Sequence, residues 1–435
     1  MSDSGDGVGL LRETLAANRR GEQSGVAAIC SAEPHVLRAA VAAHGDLLCI
    51  ESTASQVNQF GGYTGMDPMA FAATVRAVAA TVPPGQLVLG GDHLGPYPWR
   101  GLPAAEAMAR AAGLVRACVL AGYGKLHLDA SMSCADDPGG PDSPLDDEVA
   151  TARTVDLCRA AEAARGDRAP GASAPVYVIG TEVPVPGGEK AGGAGPRITS
   201  PAALRRTLDL ARAAFAGEGL DDAWERVVAV VAQPGVEFGD DSVTDYQPDA
   251  ADGLVEALRH EGALVFEAHS TDYQRPEALA RMVRDGFAIL KVGPQLTFAL
   301  REAVFALESI EKDWLGDRAG VDLSSLRAAL EQAMLADPAD WAPYYRGAAA
   351  DLRRRRAFSY SDRCRYYWGR PGVHAARDRL LRNLATGEIP ATLISQYLPQ
   401  EYAAVRAGTL APEPHALVEA HVTRVLEVYR AACGG

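Results

Sequence analysis

Eight short apolar runs between Val26 and Gly293 constrain this chain more than any other feature. They are Val26–Ser31 (VAAICS), Leu47–Thr53 (LLCIEST), Leu87–His93 (LVLGGDH), Lys125–Ser131 (KLHLDAS), Val176–Glu182 (VYVIGTE), Val227–Gln233 (VVAVVAQ), Leu264–Ser270 (LVFEAHS) and Phe287–Gly293 (FAILKVG). Each is mostly apolar along its length rather than alternating, as strands buried on both faces should be. Helical patterns fill the gaps, at Pro34–His44, Pro68–Ala80, Pro103–Ala121, Asp147–Ala164, Ser200–Ala216, Ala250–His260 and Arg275–Asp285, with an amphipathic helix near Leu10–Arg20 before the first run. Strands alternating with helices imply a parallel sheet with right-handed crossovers. An open doubly wound sheet fits the pattern, but the count of eight favours an α/β (β/α)8 barrel.

Nearly every run ends in a polar group: Ser31, Glu51 with Thr53, Asp92 with His93, Asp129 with Ser131, Thr181 with Glu182, Gln233, Glu267 with His269 and Ser270, and Lys291. In a barrel these ends share one face, where active sites are built. The polar loop Ser55–Thr64, with Asn58 and Gln59, follows one such end. Gly/Ala/Pro-rich stretches at Arg165–Ala174 and Gly187–Gly195 read as solvent loops. After about Ala303 the strand-like runs cease and helical patterns such as Leu323–Met334 and Ala416–Ala432 take over. We therefore expect residues 1–305 to form the barrel with its N-terminal helix, and residues 306–435 a helical extension contributing to the active-site face.

Composition narrows the function. A net charge of −14 over 435 residues argues against non-specific nucleic-acid binding while leaving room for a local anion pocket. No apolar stretch reaches membrane-spanning length, and the polar N-terminus lacks a signal-peptide core. Seven scattered cysteines without a CxxC pair suggest reduced thiols and a cytoplasmic protein.

The residue types at the strand ends suit metal-assisted acid–base chemistry. Asp92 and His93 stop a strand together, offering a general base beside a metal ligand. His93, Glu182, Gln233 or Glu237, and His269 are candidate ligands for a divalent ion. His127, mid-strand, reads as a core residue. His35, His44, His260, His374, His415 and His421 lie on helices or loops and need no special role. Lys291 could form a Schiff base or pair with a carboxylate such as Asp92 or Glu267, and the second fits its acidic company better. The amides of Gly293–Thr297 open a helix and could bind an anion. The four-arginine run Arg353–Arg356 reads as a solvated helix end. Ser361, Arg363 and Arg365 in the aromatic segment Phe358–Arg370 could form an anion cradle or an aromatic packing segment.

The ordered motifs STASQVNQFGGYTGM, GGDHLGP, KLHLDASMSCADD, IGTEVPVPGG, QPGVEFGD, FEAHSTDYQ, ILKVGPQLTFALREA and SYSDRCRYYW resemble the accessory subunit family of class II tagatose-1,6-bisphosphate aldolase from about Gly25 to Tyr429. The chain is also distantly similar to the catalytic class II aldolases. That likeness implies an acid/base role for Asp92, zinc ligation by His93 and His269, a counterpart of the acidic Gly-pair segment at Glu182 with Gly187–Gly188, and an anion-binding loop after Lys291. Two departures stand out. Ala232–Gln233–Pro234–Gly235 replaces the middle zinc histidine, and HSTDYQ replaces the Gly-rich phosphate loop after His269.

The resemblance implies a divalent metal, Zn2+ first with Mn2+ as an alternative. The ligand set would be His93, Glu182, Gln233 and His269. Asp92, Glu267, Asp272 and Lys291 would be catalytic. Glu51, Asn58, Gln59, Asp129, Ser131, Glu237, Ser270, Ser361, Arg363 and Arg365 would bind substrate. The expected activity is 4-epimerisation of a ketohexose or its 6-phosphate, D-tagatose to D-fructose, by retro-aldol cleavage and re-addition at C3–C4. The alternative is a non-catalytic subunit that stabilises a class II aldolase. Expected partners are a small sugar or sugar phosphate, an aldolase catalytic subunit and further copies of the chain, with neither nucleic acid nor membrane.

Overall fold

The computed structural model describes residues 7–141, 143–183 and 196–435; the expected loop Gly187–Gly195 and the pair Gly187–Gly188 lie outside the described residues. All eight apolar runs form strands: Val26–Cys30, Leu48–Thr53, Leu87–Leu94, Lys125–Leu128, Val176–Ile179, Val227–Val231, Val265–Ala268 and Ile289–Val292. They pair in parallel in sequence order, and the first closes on the eighth from Val26↔Ile289 to Ile29↔Val292. The (β/α)8 barrel is thus the fold and the open sheet is not. A short antiparallel hairpin, Glu237–Phe238 with Val243–Thr244, stands outside the barrel.

Helix starts follow local chemistry. Pro34, Pro68, Pro201, Pro248 and Pro276 each open a helix that covers the barrel, where a missing N–H costs nothing. Glu33, Asp67 and Ser200 precede three of them and accept hydrogen bonds from first-turn amides. The N-terminal helix, Val8–Arg19, turns Val8, Leu11 and Leu15 toward Val26, Cys49, Val88 and Val176 and plugs the barrel at the strands' starting ends. A larger apolar core lies between strands and surrounding helices.

Midway up the barrel the packing turns polar. Register places Glu51 beside Gly90, Gly90 beside Lys125, and Glu267 beside Val231 and Ile289. Gly90 is required there, because a Cβ would lie 2.6 Å from Glu51 Cγ. Between Gly91 and Leu94 the third strand slips register against the fourth, and His93 has φ +48°. Such an irregularity re-aims side chains, here Asp92 and His93.

The helix Pro294–Leu315 runs unbroken through residue 305 into the C-terminal helices. The last helix, Pro414–Ala432, packs on Pro34–Ala43, Pro276–Arg284 and Pro294–Leu315. Before it, Ser359–Trp368 returns toward the barrel. Tyr273 donates its hydroxyl to Tyr360 O at 2.7 Å, and Asp362 accepts from Thr297 at 2.6 Å and pairs with Arg301 at 3.2 Å. The arginine run departs from a plainly solvated helix end. Arg356 is buried over Trp341 and paired with Glu331, and Arg355 pairs with Asp240 at 2.6 Å. No described helix is long and apolar enough to cross a membrane, and all seven cysteines are free thiols.

Candidate active site

A charged network fills the polar layer of the barrel. Lys125, completely buried, pairs with Glu51 at 2.7 Å and Glu267 at 2.6 Å. Lys291 pairs with Glu51 and, at 3.0 Å, with Asp92. Burial alone would lower the Lys291 pKa, but Asp92, with Glu51 and Glu267, raises it well above the ordinary lysine value. Its amine is therefore held as an ammonium, which matches ion pairing and not Schiff-base nucleophilicity. Cys30 adds a thiol 3.4 Å from Asp92 Oδ2, pushed well up in pKa by burial.

Above this layer three imidazoles converge. The ring centroids of His93, His127 and His269 lie 4.8–5.3 Å apart. His127 Nδ1 sits 2.9 Å from Asp92 Oδ1, and His269 Nε2 sits 3.0 Å from Glu267 Oε1. One ligand atom from each of Asp92, His127, Glu267 and His269 falls within 4.8 Å of the others, all four residues being buried. His127 Nε2 is buried without a hydrogen-bond partner among the described residues. Burial lowers the His269 pKa to about 4, so the ring is neutral at pH 7 and able to ligate. This two-nitrogen, two-oxygen set fits a divalent ion such as Zn2+ or Mn2+.

His93 also keeps one ring nitrogen facing this cluster. Its Nδ1 contacts Asp129 Oδ2 at 2.7 Å, leaving Nε2 3.8 Å from Asp92 Oδ2. Burial disfavours its charge, but Asp92 and Asp129 together raise its pKa above the ordinary value. Ser131 in turn donates to Asp129 at 2.6 Å. The Asp129 contact orients the ring, so that Nε2 is free to serve as a ligand or, when protonated, as a proton donor.

A cavity of about 100 Å3 opens over these groups. Asp92, His93, His269, Ser270, Asp272, Lys291 and Arg365 supply its polar wall, and Tyr63, Tyr97 and Tyr366 its aromatic wall. A larger cavity, about 1050 Å3, lies among the C-terminal helices and contains none of these groups. The expected anion site at the helix Pro294–Leu315 is filled from within: Asp272 Oδ1 accepts from Gly293 N at 3.0 Å and Gln295 N at 2.8 Å. Burial nevertheless raises the Asp272 pKa to about 6.

The remaining sequence candidates divide. Glu51 and Glu267 lie in the charged layer. Glu182 is exposed at the edge of the described residues, outside the imidazole cluster. Gln233 Oε1 accepts from Gly235 N and Val236 N, folding a turn, and Glu237 accepts from Phe238 N on the outer hairpin. Asn58 organises its own loop through Phe60 N and Gly62 N, and Gln59 donates to Arg110 O. Ser361 bonds Tyr345 and Ser359, while Arg363 stacks over Tyr344, so only Arg365 of the SDRCR segment lines the cavity.

In the sequence His127 alternates with Asp129 and reads first as a core residue and second as a ligand, while Lys125, Cys30 and the three tyrosines do not stand out. The signal was present for two of them. Lys125, His127 and Asp129 alternate, which points all three to one face.

A closed parallel barrel whose strand ends gather imidazoles, carboxylates and an ammonium defines an α/β-barrel protein with a buried polar site at the strand ends. The chain belongs to the family described as D-tagatose-1,6-bisphosphate aldolase subunit GatZ/KbaZ-like, whose model matches residues 11–434. Among solved structures, it is 46% identical to a protein of Sinorhizobium meliloti 1021 described as a probable tagatose 6 phosphate kinase, covering 94% of this chain and 100% of that one with a TM-score of 0.84. Fructuronate-tagaturonate epimerase UxaE from Cohnella laeviribosi is 12% identical, over 94% of this chain and 81% of that one, with a TM-score of 0.46. The YdjI aldolase of Escherichia coli K12 is 10% identical, over 86% and 94%, with a TM-score of 0.41.

Proposed function

We propose that this chain is a tagatose-bisphosphate-aldolase-type subunit whose own barrel mouth binds a divalent metal and a ketohexose, and inverts C4 by retro-aldol chemistry. The family match supports the subunit role more directly than the epimerase role. The observation that carries catalysis is the buried Asp92–His127–Glu267–His269 group beneath a polar cavity. A stabilising partner without chemistry has no physical need for an unpartnered buried imidazole nitrogen or a carboxyl poised near pH 6.

In this reading Asp92, His127, Glu267 and His269 would hold the metal, with His93 at its side. The ion would supply electrophilic stabilisation of charge developing at the C2 ketone. Asp272 accepts the C4 hydroxyl proton, a part its raised pKa suits better than the depressed pKa of Asp92. The C3–C4 electron pair passes to C3, conjugated with the C2 carbonyl. The aldehyde fragment turns within the cavity and re-adds through its other face. His93, oriented by Asp129, returns a proton on that side. Arg365 supports a phosphate at the far end of the sugar, with Tyr63 and Tyr366 beside it.

Removing metal from the full chain should abolish conversion of D-tagatose 6-phosphate, and adding Zn2+ or Mn2+ should restore it. His127→Ala should lower metal affinity and turnover together. Unchanged turnover in His127→Ala would remove this group from the mechanism. The subunit role predicts a stable complex with a class II aldolase catalytic chain, read by co-purification.

A further inference from the structure

We propose a second divalent-metal site, formed by His35, His415 and Glu419, that clips the C-terminal helix to the helix after the first barrel strand. His35 is the second residue of the helix Pro34–Ala43, and His415 the second residue of Pro414–Ala432. His35 Nε2 and His415 Nδ1 stand 3.1 Å apart with the ring planes within 10° of parallel. Two imidazole nitrogens on a tetrahedral Zn2+, each at about 2.0–2.1 Å, would be about 3.3 Å apart. Glu419 follows His415 by one helical turn, the spacing that brings two ligands to one point. The three ligand atoms lie within 4.8 Å of one another.

The surroundings resemble an outer coordination shell. His35 Nδ1 faces Glu33 Oε1 at 3.5 Å, and Arg377 holds that carboxylate at 2.8 Å. A proton on Nδ1 leaves the Nε2 lone pair facing His415, the carboxylate–imidazole–metal order of many metal sites. Arg38 binds Glu419 Oε1 at 2.5 Å, which leaves Oε2 for an ion. The cations Arg38 and Arg377 are matched by the anions Glu419 and Glu33, so the pocket carries no net charge before an ion enters. His35 is buried while His415 is exposed, giving an ion both a fixed ligand and a route in, with water to complete the shell.

The site stands apart from the barrel-mouth group and does not depend on it. The test is titration of metal-free full-length protein with Zn2+, by calorimetry, for wild type, His415→Ala, Glu419→Gln and His269→Ala. His415→Ala should bind one equivalent fewer than wild type, and Glu419→Gln should bind that equivalent at least tenfold more weakly. His269→Ala should keep the equivalent that His415→Ala loses. Circular dichroism confirms that each variant is folded. An unchanged stoichiometry in folded His415→Ala would leave the pair as an imidazole–imidazole hydrogen bond and overturn the proposal. Loss of binding in His269→Ala alone would bear on the barrel mouth and equally overturn the second site.

Discussion

Asp272 is the cavity carboxyl whose ionisation falls nearest to neutral pH. Its folded pKa of about 6 exceeds the ordinary aspartate value of 3.8, so the folded state holds the proton more tightly than the unfolded state. The stability this gives is full below pH 3.8 and lost as pH rises through about 6. Asp272→Asn should therefore be more stable than wild type at pH 8, by up to about 3 kcal/mol, with no difference near pH 3.5. The same variant should lose about 10²–10⁴-fold in turnover, along with the limb of the pH–rate profile near pH 6. Paired denaturation and rate measurements across pH check both halves. Lys125 acts in the opposite sense. Lys125→Met leaves Glu51 and Glu267 buried without their shared cation, and urea unfolding should show a loss of about 3–5 kcal/mol. Asp92, His93 and Lys291 were legible because they end apolar runs. Lys125 and His127 were harder to see because a charged layer inside a barrel breaks the expectation that strand side chains facing the interior only pack.

The strands and covering helices were legible because their signals are local: continuous apolar runs, prolines at helix starts, and capping residues such as Asp67 and Ser200. The placement of the C-terminal elements was not, because long-range pairs fix it. His421 shows how. It contacts Glu401 at 2.9 Å and Glu302 at 3.4 Å, joining the last helix to Pro399–Arg406 and Pro294–Leu315. Burial opposes its charge, yet hydrogen bonds to Glu302 and Glu401 raise its pKa to about 9. Its contribution is full below pH 6.5 and lost as pH rises through about 9. His421→Gln should cost about 1–3 kcal/mol at pH 6, and the difference should vanish above pH 9.5. Equal melting temperatures at pH 6 would show that the helix is held by apolar packing alone. The Ser359–Trp368 segment makes the same point. Arg363 and Arg365 are indistinguishable in sequence, but a stack on Tyr344 claims one and the cavity the other.

At the scale of the molecule, the barrel supplies a rigid ring of strand ends and the C-terminal segment brings Arg365 and Tyr366 over it. The Asp92–His127–Glu267–His269 group adjoins the charged layer on one side, and its Asp92 and His269 line the cavity on the other. Both parts of the chain line the cavity, so on the proposed function truncation after residue 315 should remove turnover even where the barrel remains folded. Whether this chain inverts C4 by itself, as proposed, is read out by carbon NMR. Metal-loaded full-length protein would be incubated with ¹³C-labelled D-tagatose 6-phosphate, and separately with free D-tagatose, without any other subunit. Signals of the corresponding fructose epimer should appear from one of the two sugars and be absent with Asp272→Asn. Stoichiometric metal with no epimer from either sugar would contradict the proposal and leave the chain as a supporting subunit.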